Sequence, residues 1–69
     1  MHILIGEQVR QLRKQKKMSQ VQLSRRTGLD RTYISKIEND NANLTVDTLL
    51  LICKALEVSM TEFFSILQI

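Results

Sequence analysis

The chain contains no proline, no tryptophan, two glycines and three aromatic residues among its 69 positions. All-β domains depend on frequent turns and on aromatic strands, so this scarcity favours helices. No apolar run approaches the ~18–20 residues of a membrane-spanning helix, and the opening MHILIG is too short for a signal peptide. We therefore expect one all-α domain that works in the cytoplasm and does not bind membranes.

One cysteine and one histidine limit the chemistry that the chain carries. Cys53 has no partner for an internal disulfide, and His2 with Cys53 does not form a metal-ligand set. The sequence also has no glycine-rich phosphate loop and no pairing of a nucleophile with a base. We expect no metal, no cofactor, no small-molecule ligand and no enzymatic activity, and we interpret Cys53 as a small core residue.

The net charge of +3 is distributed unevenly along the chain. Residues 1–36 contain nine Lys or Arg against two Asp or Glu, a balance of +7. Residues 37–69 contain one Lys against five acidic residues, a balance of −4. A basic segment of this kind is typical of a surface that faces a polyanion such as nucleic acid, whereas the second half predicts a different role.

Capping signals and hydrophobic spacing predict five short helices. The first covers about residues 4–16 and has an apolar stripe of Ile5, Val9 and Leu12. The others cover about residues 20–27, 31–39, 46–56 and 60–67. Their start signals are the capping boxes of Ser19 with Gln22 and Ser59 with Glu62, and the N-caps Asp30 and Thr45.

The second and third helices have the spacing of a helix-turn-helix unit. Gly28, between them, takes a left-handed conformation without steric cost, and Leu29 supplies the hydrophobic contact of that cap. Leu23, Ile34 and Ile37 are expected to face inward. In such a unit the second helix enters the DNA major groove, so we expect DNA binding.

These features resemble a known family. The stretches IGEQVRQLRKQKKMSQVQLSRRTGL, ISKIEN and LTVDTLLLICKALEVSMTEFF are similar to helix-turn-helix domains of the phage-repressor and Cro type, also called the xenobiotic-response-element type. The resemblance covers about residues 5–64 and implies a five-helix, lambda-repressor-like fold. Within that family, LDRTYISKIE together with NLT is most similar to the controller proteins of restriction–modification systems, which are small dimeric regulators.

The outer face of the third helix holds the candidate base-reading residues. Arg31 has the fork of donors that matches guanine O6 and N7, and the hydroxyls of Thr32 and Ser35 suit base edges. Lys36 follows one turn after Thr32 and reaches guanine or the backbone. By resemblance, Tyr33 also meets DNA, although a half-buried structural role stays open. For Arg31 and Lys36 the alternative is ordinary solvated charge.

A second group is expected to contact phosphates. Gln20 begins the second helix, where an amide and the helix dipole together suit a phosphate, and the family uses a Gln there. Its alternative is a plain exposed first-turn residue. The other candidates are Arg25, Lys17, Asn39 and Asn43. By resemblance, Arg13 and Glu38 form a partly buried salt bridge that orients the third helix.

One departure from the family pattern falls between the fourth and fifth helices. Many members have glycine at the position of Glu57. The turn there is therefore either not left-handed or mildly strained.

The fourth helix is more apolar than burial on one side requires. A core stripe is expected to consist of Val46, Leu49, Leu50, Ile52, Cys53 and Leu56. Leu51 lies on the opposite side, where it needs a cover. We therefore expect a homodimer interface formed by Leu51, Phe64, Ile66, Leu67 and Ile69. The alternative is that these residues only complete the monomer core.

Together, the sequence predicts a transcription regulator, either repressor or activator, that binds a partly palindromic DNA operator as a homodimer. RNA polymerase is a further partner that the resemblance implies. The alternatives are a phage or mobile-element repressor, or a DNA-binding antitoxin that captures a partner protein with its last two helices.

Overall fold

The computed structural model describes residues 5–40 and 42–66, which form five helices and no strand. The helices are α1 (Ile5–Gln15), α2 (Gln20–Thr27), α3 (Arg31–Glu38), α4 (Val46–Ala55) and α5 (Met60–Ile66). The all-α prediction is confirmed. The third and fourth helices each end one residue earlier than predicted, because Asn39 and Leu56 are their C-caps.

Both predicted capping boxes are present. The Ser19 hydroxyl accepts from the Gln22 backbone N–H at 3.0 Å, and the Gln22 side chain accepts from the Ser19 N–H at 2.8 Å. Ser59 and Glu62 make the equivalent pair of bonds at 2.9 and 3.1 Å. These bonds satisfy helix N–H groups that have no partner within the helix, so they determine where α2 and α5 begin.

The two single N-caps differ from each other. The Thr45 hydroxyl accepts from the backbone N–H of Thr48 at 3.1 Å and caps α4 as predicted. Asp30 has the extended backbone of an N-cap residue, but its side chain makes no capping bond. The prediction that Asp30 is the N-cap residue of α3 is therefore confirmed.

The turn between α2 and α3 follows from glycine. Gly28 is left-handed, with a φ of 77°, and its N–H donates to the Ser24 carbonyl at 2.8 Å. The Leu29 N–H donates to the Thr27 hydroxyl at 3.1 Å, and Leu29 packs against the core. The turn reverses the chain tightly, because a left-handed residue ends the helix at once.

Three further turns place residues other than glycine in the left-handed region. The three residues are Lys17, Asp40 and Glu57, with φ angles of 56°, 58° and 60°, respectively. The question that the sequence left open at Glu57 is settled, because its turn is left-handed. Such a conformation costs roughly 1–2 kcal/mol for a residue with a side chain, so these turns carry strain.

The core contains most of the predicted apolar residues. Its buried members are Val9, Leu12, Met18, Leu23, Ile34, Ile37, Leu49, Ile52, Cys53, Leu56 and Phe63. The prediction is wrong for Val46 and Leu50, which are 67% and 46% exposed. Helical spacing places both in the core, but their side chains are exposed to solvent.

The α1 helix lies unusually close to the end of α3. Gly6 is buried, and its N–H donates to the Asp40 carboxylate at 3.2 Å. A Cβ atom at Gly6 would collide with the Ile37 carbonyl oxygen and lie 2.6 Å from the Asp40 carboxylate. Only glycine allows this approach, which fixes the position of α3 relative to α1.

We expect Gly6→Ala to destabilise the protein by about 1–3 kcal/mol, because the added methyl group collides with backbone that cannot rotate away. Helix propensity alone would give the opposite sign, since alanine is the better helix former. Chemical denaturation measures the free energy of unfolding. Gly28→Ala is the control: its added Cβ meets nothing within 4 Å, so it reports only the left-handed strain. An unchanged or more stable Gly6→Ala protein would contradict the close approach.

Candidate nucleic-acid interface

An open cleft of about 400 Å³ lies between the start of α2 and the outer face of α3. Its lining residues are Gln20, Arg31, Thr32, Ser35 and Lys36. The structure therefore brings together four of the five predicted base-reading residues and one predicted phosphate ligand.

The cleft presents hydrogen-bond donors and positive charge. Arg31, Thr32 and Lys36 are exposed, Ser35 is half-buried, and no carboxylate lines the cleft. The Arg31 guanidinium has five N–H donors in a planar fork, and the Lys36 ammonium has three. Such a set suits the acceptor atoms of guanine and of phosphate oxygens.

Tyr33 lies apart from this cleft. Its side chain is half-buried and packs against the core, and its hydroxyl donates to the Asn43 carbonyl at 3.0 Å. Tyr33 thereby ties α3 to the loop before α4. This bond supports the structural role that the sequence left open for Tyr33. It also holds the loop that contains Asn43, one of the expected phosphate ligands.

A buried carboxylate holds α3 in place. The Glu38 carboxylate accepts from Arg13 Nε at 2.7 Å and from Arg13 Nη2 at 2.9 Å. The two side chains are only 2% and 11% exposed, respectively, so the predicted salt bridge is present and is bidentate. Arg13 Nη1 also donates to the Met18 carbonyl at 2.8 Å. One guanidinium therefore joins the end of α1, the turn before α2 and the end of α3.

Glu38 has a second partner that the sequence did not reveal. Gln20 Nε2 donates to the Glu38 carboxylate at 3.1 Å, and Gln20 is half-buried rather than fully exposed. The two residues are 18 positions apart and belong to different helices. No local pattern indicates such a bond, because it depends on how α2 and α3 pack.

The other four expected phosphate ligands do not line the cleft. Arg25 is exposed on α2, Lys17 is exposed just after α1, and Asn39 is the exposed C-cap of α3. Asn43 is exposed in the loop that Tyr33 holds. None of these four side chains makes a hydrogen bond to another described residue, so each is available to a partner.

A second surface lies on α4 and α5. Leu51 and Phe64 are 45% and 41% exposed, as a role outside the core requires. Leu50 and Val46, for which the core prediction is wrong, are also exposed on α4. The side chain of Ile66, together with Leu67 and Ile69, lies outside the described residues, so these three assignments stay predictions.

Cys53 lies in the core. It is 2% exposed, and its Sγ lies 3.7 Å from the Met60 sulfur. Burial raises the pKa of the Cys53 thiol, so the thiol stays protonated at neutral pH. It therefore behaves as the small core residue that the sequence predicted.

Among the described residues, no helix is long and apolar enough to cross a membrane.

Comparison with known proteins places this geometry in a family. The chain matches the helix-turn-helix family over residues 9–63. It is 37% identical to the control protein C.SmaI of Serratia marcescens, over 90% of this chain and 74% of that protein. It is 33% identical to the immunity repressor of Bacillus phage phi105, over 83% of this chain but only 40% of the repressor.

A solved structure shows the same arrangement of helices. The crystal structure of the restriction–modification controller protein C.Esp1396I superimposes with a TM-score of 0.85 at 44% identity. The match covers 88% of this chain and 80% of that one. The same controller protein has also been crystallised as a tetramer in complex with its natural 35-base-pair operator.

We expect Glu38→Ala to lower the free energy of unfolding by about 3–5 kcal/mol, because it leaves the Arg13 guanidinium buried without its counter-charge. Glu62→Ala is the control, since Glu62 is exposed and its loss removes one capping bond worth about 1 kcal/mol. Thermal and urea unfolding of the two variants measure the difference. Equal effects would show that the buried pair does not hold the fold together.

Proposed function

The chain belongs to the helix-turn-helix family, and we propose that it is a transcription regulator that binds a specific DNA operator as a homodimer. In this proposal it is a restriction–modification controller protein. The observation that carries the proposal is the donor-rich cleft of Arg31, Thr32, Ser35 and Lys36. The operator complex of C.Esp1396I supports DNA as the partner. The regulator acts in the cytoplasm, by binding rather than by catalysis.

The cleft residues have distinct tasks in this proposal. Arg31, at the start of α3, forms paired hydrogen bonds with guanine O6 and N7, a contact worth about 1–3 kcal/mol of discrimination. Thr32 and Ser35 bond base edges, and the Thr32 methyl group contacts thymine. Lys36, one turn along α3 from Thr32, bonds guanine or the backbone. All four side chains lie on the side of α3 that faces away from the core.

Phosphate contacts surround these base contacts. Arg25, Lys17, Asn39 and Asn43 are exposed, and in this proposal they bind backbone oxygens on either side of the groove. Tyr33 keeps Asn43 in position through its bond to the Asn43 carbonyl. Phosphate contacts release condensed counterions, so the affinity falls steeply as the salt concentration rises.

The exposed apolar surface of α4 and α5 forms the dimer. Leu51 lies opposite the buried side of α4, and Phe64 lies on α5, which packs against α4. A two-fold axis through this surface gives two recognition helices that read half-sites about one helical turn, ~34 Å, apart. Because two half-sites must be occupied together, the regulation depends on the concentration of the chain.

A phage or mobile-element repressor is the second candidate. The similarity to the phi105 immunity repressor favours it, but the chain covers only 40% of that protein, against 74% of C.SmaI. The neighbouring gene distinguishes the two: a restriction enzyme or methyltransferase supports the controller protein, and phage genes support the repressor.

The first test is enrichment of bound fragments from a random DNA pool by the purified chain. We expect a partly palindromic winner, and we expect Arg31→Ala to lose about tenfold in discrimination at one base pair of each half-site. Binding at ~50 and ~200 mM salt measures the phosphate contribution. Lys14→Ala, which changes an exposed α1 residue outside the cleft, is the control for charge. Failure to enrich any sequence would overturn the proposed function.

The dimer is tested by sedimentation. We expect Leu51→Glu to raise the dimer dissociation constant at least about tenfold, because it places a charge in each copy at the centre of the interface. Val21→Glu is a matched control: Val21 is 41% exposed, close to the 45% of Leu51, but lies on α2. If both variants sediment as the unmodified chain does, the interface lies elsewhere.

A further inference from the structure

The outer face of α4 has two leucines between two opposite charges. This face consists of Asp47, Leu50, Leu51 and Lys54, and all four residues are exposed. With 3.6 residues per turn, they fall within an arc of about 100° of the helix surface. The buried residues of α4 lie on the opposite side. The outer face therefore points directly away from the core.

The two charges of this face do not neutralise each other. Asp47 lies in the first turn of α4 and Lys54 in its last turn, about 10 Å apart along the helix axis. Neither belongs to a salt bridge among the described residues. The helix dipole favours an acid in the first turn and a base in the last, so it accounts for both charges. It does not account for the two leucines that are exposed to water between them.

The outer face is complementary to a copy of itself. In a two-fold interface, a contact of residue i with residue j implies the contact of j with i. A two-fold axis that crosses α4 between Leu50 and Leu51 makes the two copies of the helix antiparallel. Leu50 then meets Leu51 of the partner subunit, and Asp47 meets Lys54 of the partner subunit, because the members of each pair are equally far from the axis. A parallel arrangement would place each charge beside its own copy, which is repulsive.

We propose that the α4 helices pair antiparallel at the centre of the dimer, with Asp47 of each chain bound to Lys54 of the partner subunit. The proposal rests on the proposed homodimer and commits the outer face of α4 to a second copy of this chain. The leucines supply affinity, because their contact removes apolar surface from water. The two ion pairs fix the register, since a shift by one helical turn separates both of them.

This register has a consequence for DNA binding. The α4 helix packs against α2, and α2 packs against α3. The position of the two-fold axis on α4 therefore determines the distance between the two α3 helices, and with it the spacing of the half-sites.

Cysteine crosslinking measures the register directly. We expect Asp47→Cys and Lys54→Cys chains, mixed and mildly oxidised, to form a disulfide-linked heterodimer, because facing residues of paired helices reach the ~4–7 Å Cα separation that a disulfide needs. Each variant alone is the matched control and forms no such link, since its two cysteines lie about 10 Å apart along the helix axis. Cys53 is 2% exposed and does not compete. Crosslinking of either variant alone, or no link in the mixture, would overturn the proposal.

Charge exchange tests the ion pairs. Asp47→Lys and Lys54→Asp each place like charges at both ends of the interface, so we expect each to raise the dimer dissociation constant about tenfold at low salt. The chain with both substitutions restores opposite charges, and we expect it to recover most of that loss. Sedimentation without DNA measures the constants, and circular dichroism confirms that each variant keeps its helices. Additive losses in the double variant would contradict the pairing.

Glu57→Lys is the control for charge reversal. It makes the same charge change as Asp47→Lys in the turn after α4, where Glu57 is exposed and lines a cavity with Arg26 of α2. We expect it to leave the dimer dissociation constant unchanged. An effect as large as that of Asp47→Lys would mean that net charge, rather than the ion pair, controls the dimer.

Sedimentation of the unmodified chain separates this proposal from the proposed homodimer. If the chain sediments as a dimer and the mixed cysteine variants do not crosslink, the homodimer stands and the register is wrong. If the chain sediments as a monomer at every concentration, the proposed homodimer fails and the register fails with it.

Discussion

The geometry of the DNA-binding half depends on one buried carboxylate. Glu38 ends α3, and its charge is tolerated away from water because Arg13 neutralises it with two short bonds. Gln20 adds a third bond from the start of α2. The α1, α2 and α3 helices are therefore joined at one point, and because Gln20 also lines the cleft between α2 and α3, a change there affects the cleft as well as stability. The need to join these helices explains why such a small domain buries polar groups in its limited core.

The proposed DNA interface lies mainly in the basic first half of the chain, and the proposed dimer interface lies in the acidic second half. Two basic residues of the first half, Arg31 and Lys36, line the cleft, and exposed apolar residues of the second half, Leu51 and Phe64 among them, lie on α4 and α5. The core joins them, because α4 packs against α2 with Leu49, Ile52 and Leu56 buried. A dimer formed on one side can therefore set the spacing of recognition helices on the other without any further domain.

Predictions from the sequence succeeded where the signal is local. Gly28, the Ser19 capping box and the start of α3 depend on residues within one turn of each other, so the pattern contains the whole interaction. Predictions failed where burial depends on a distant element. Val46 has the spacing of a core residue, yet its side chain is exposed to solvent. For the candidate site, the sequence identified the cleft residues and the Arg13–Glu38 pair through family resemblance, but it did not reveal the bond of Gln20.

The sequence by itself determined the five helices, the helix-turn-helix turn and the charge of each half, because capping, hydrophobic spacing and composition are properties of neighbouring residues. Only the tertiary structure decided that Gly6 lies against α3 and that Gln20 turns its nitrogen towards Glu38. These contacts join residues 18 or more positions apart. Their geometry follows from how whole helices pack, and helix packing fixes distances that no short stretch of sequence contains.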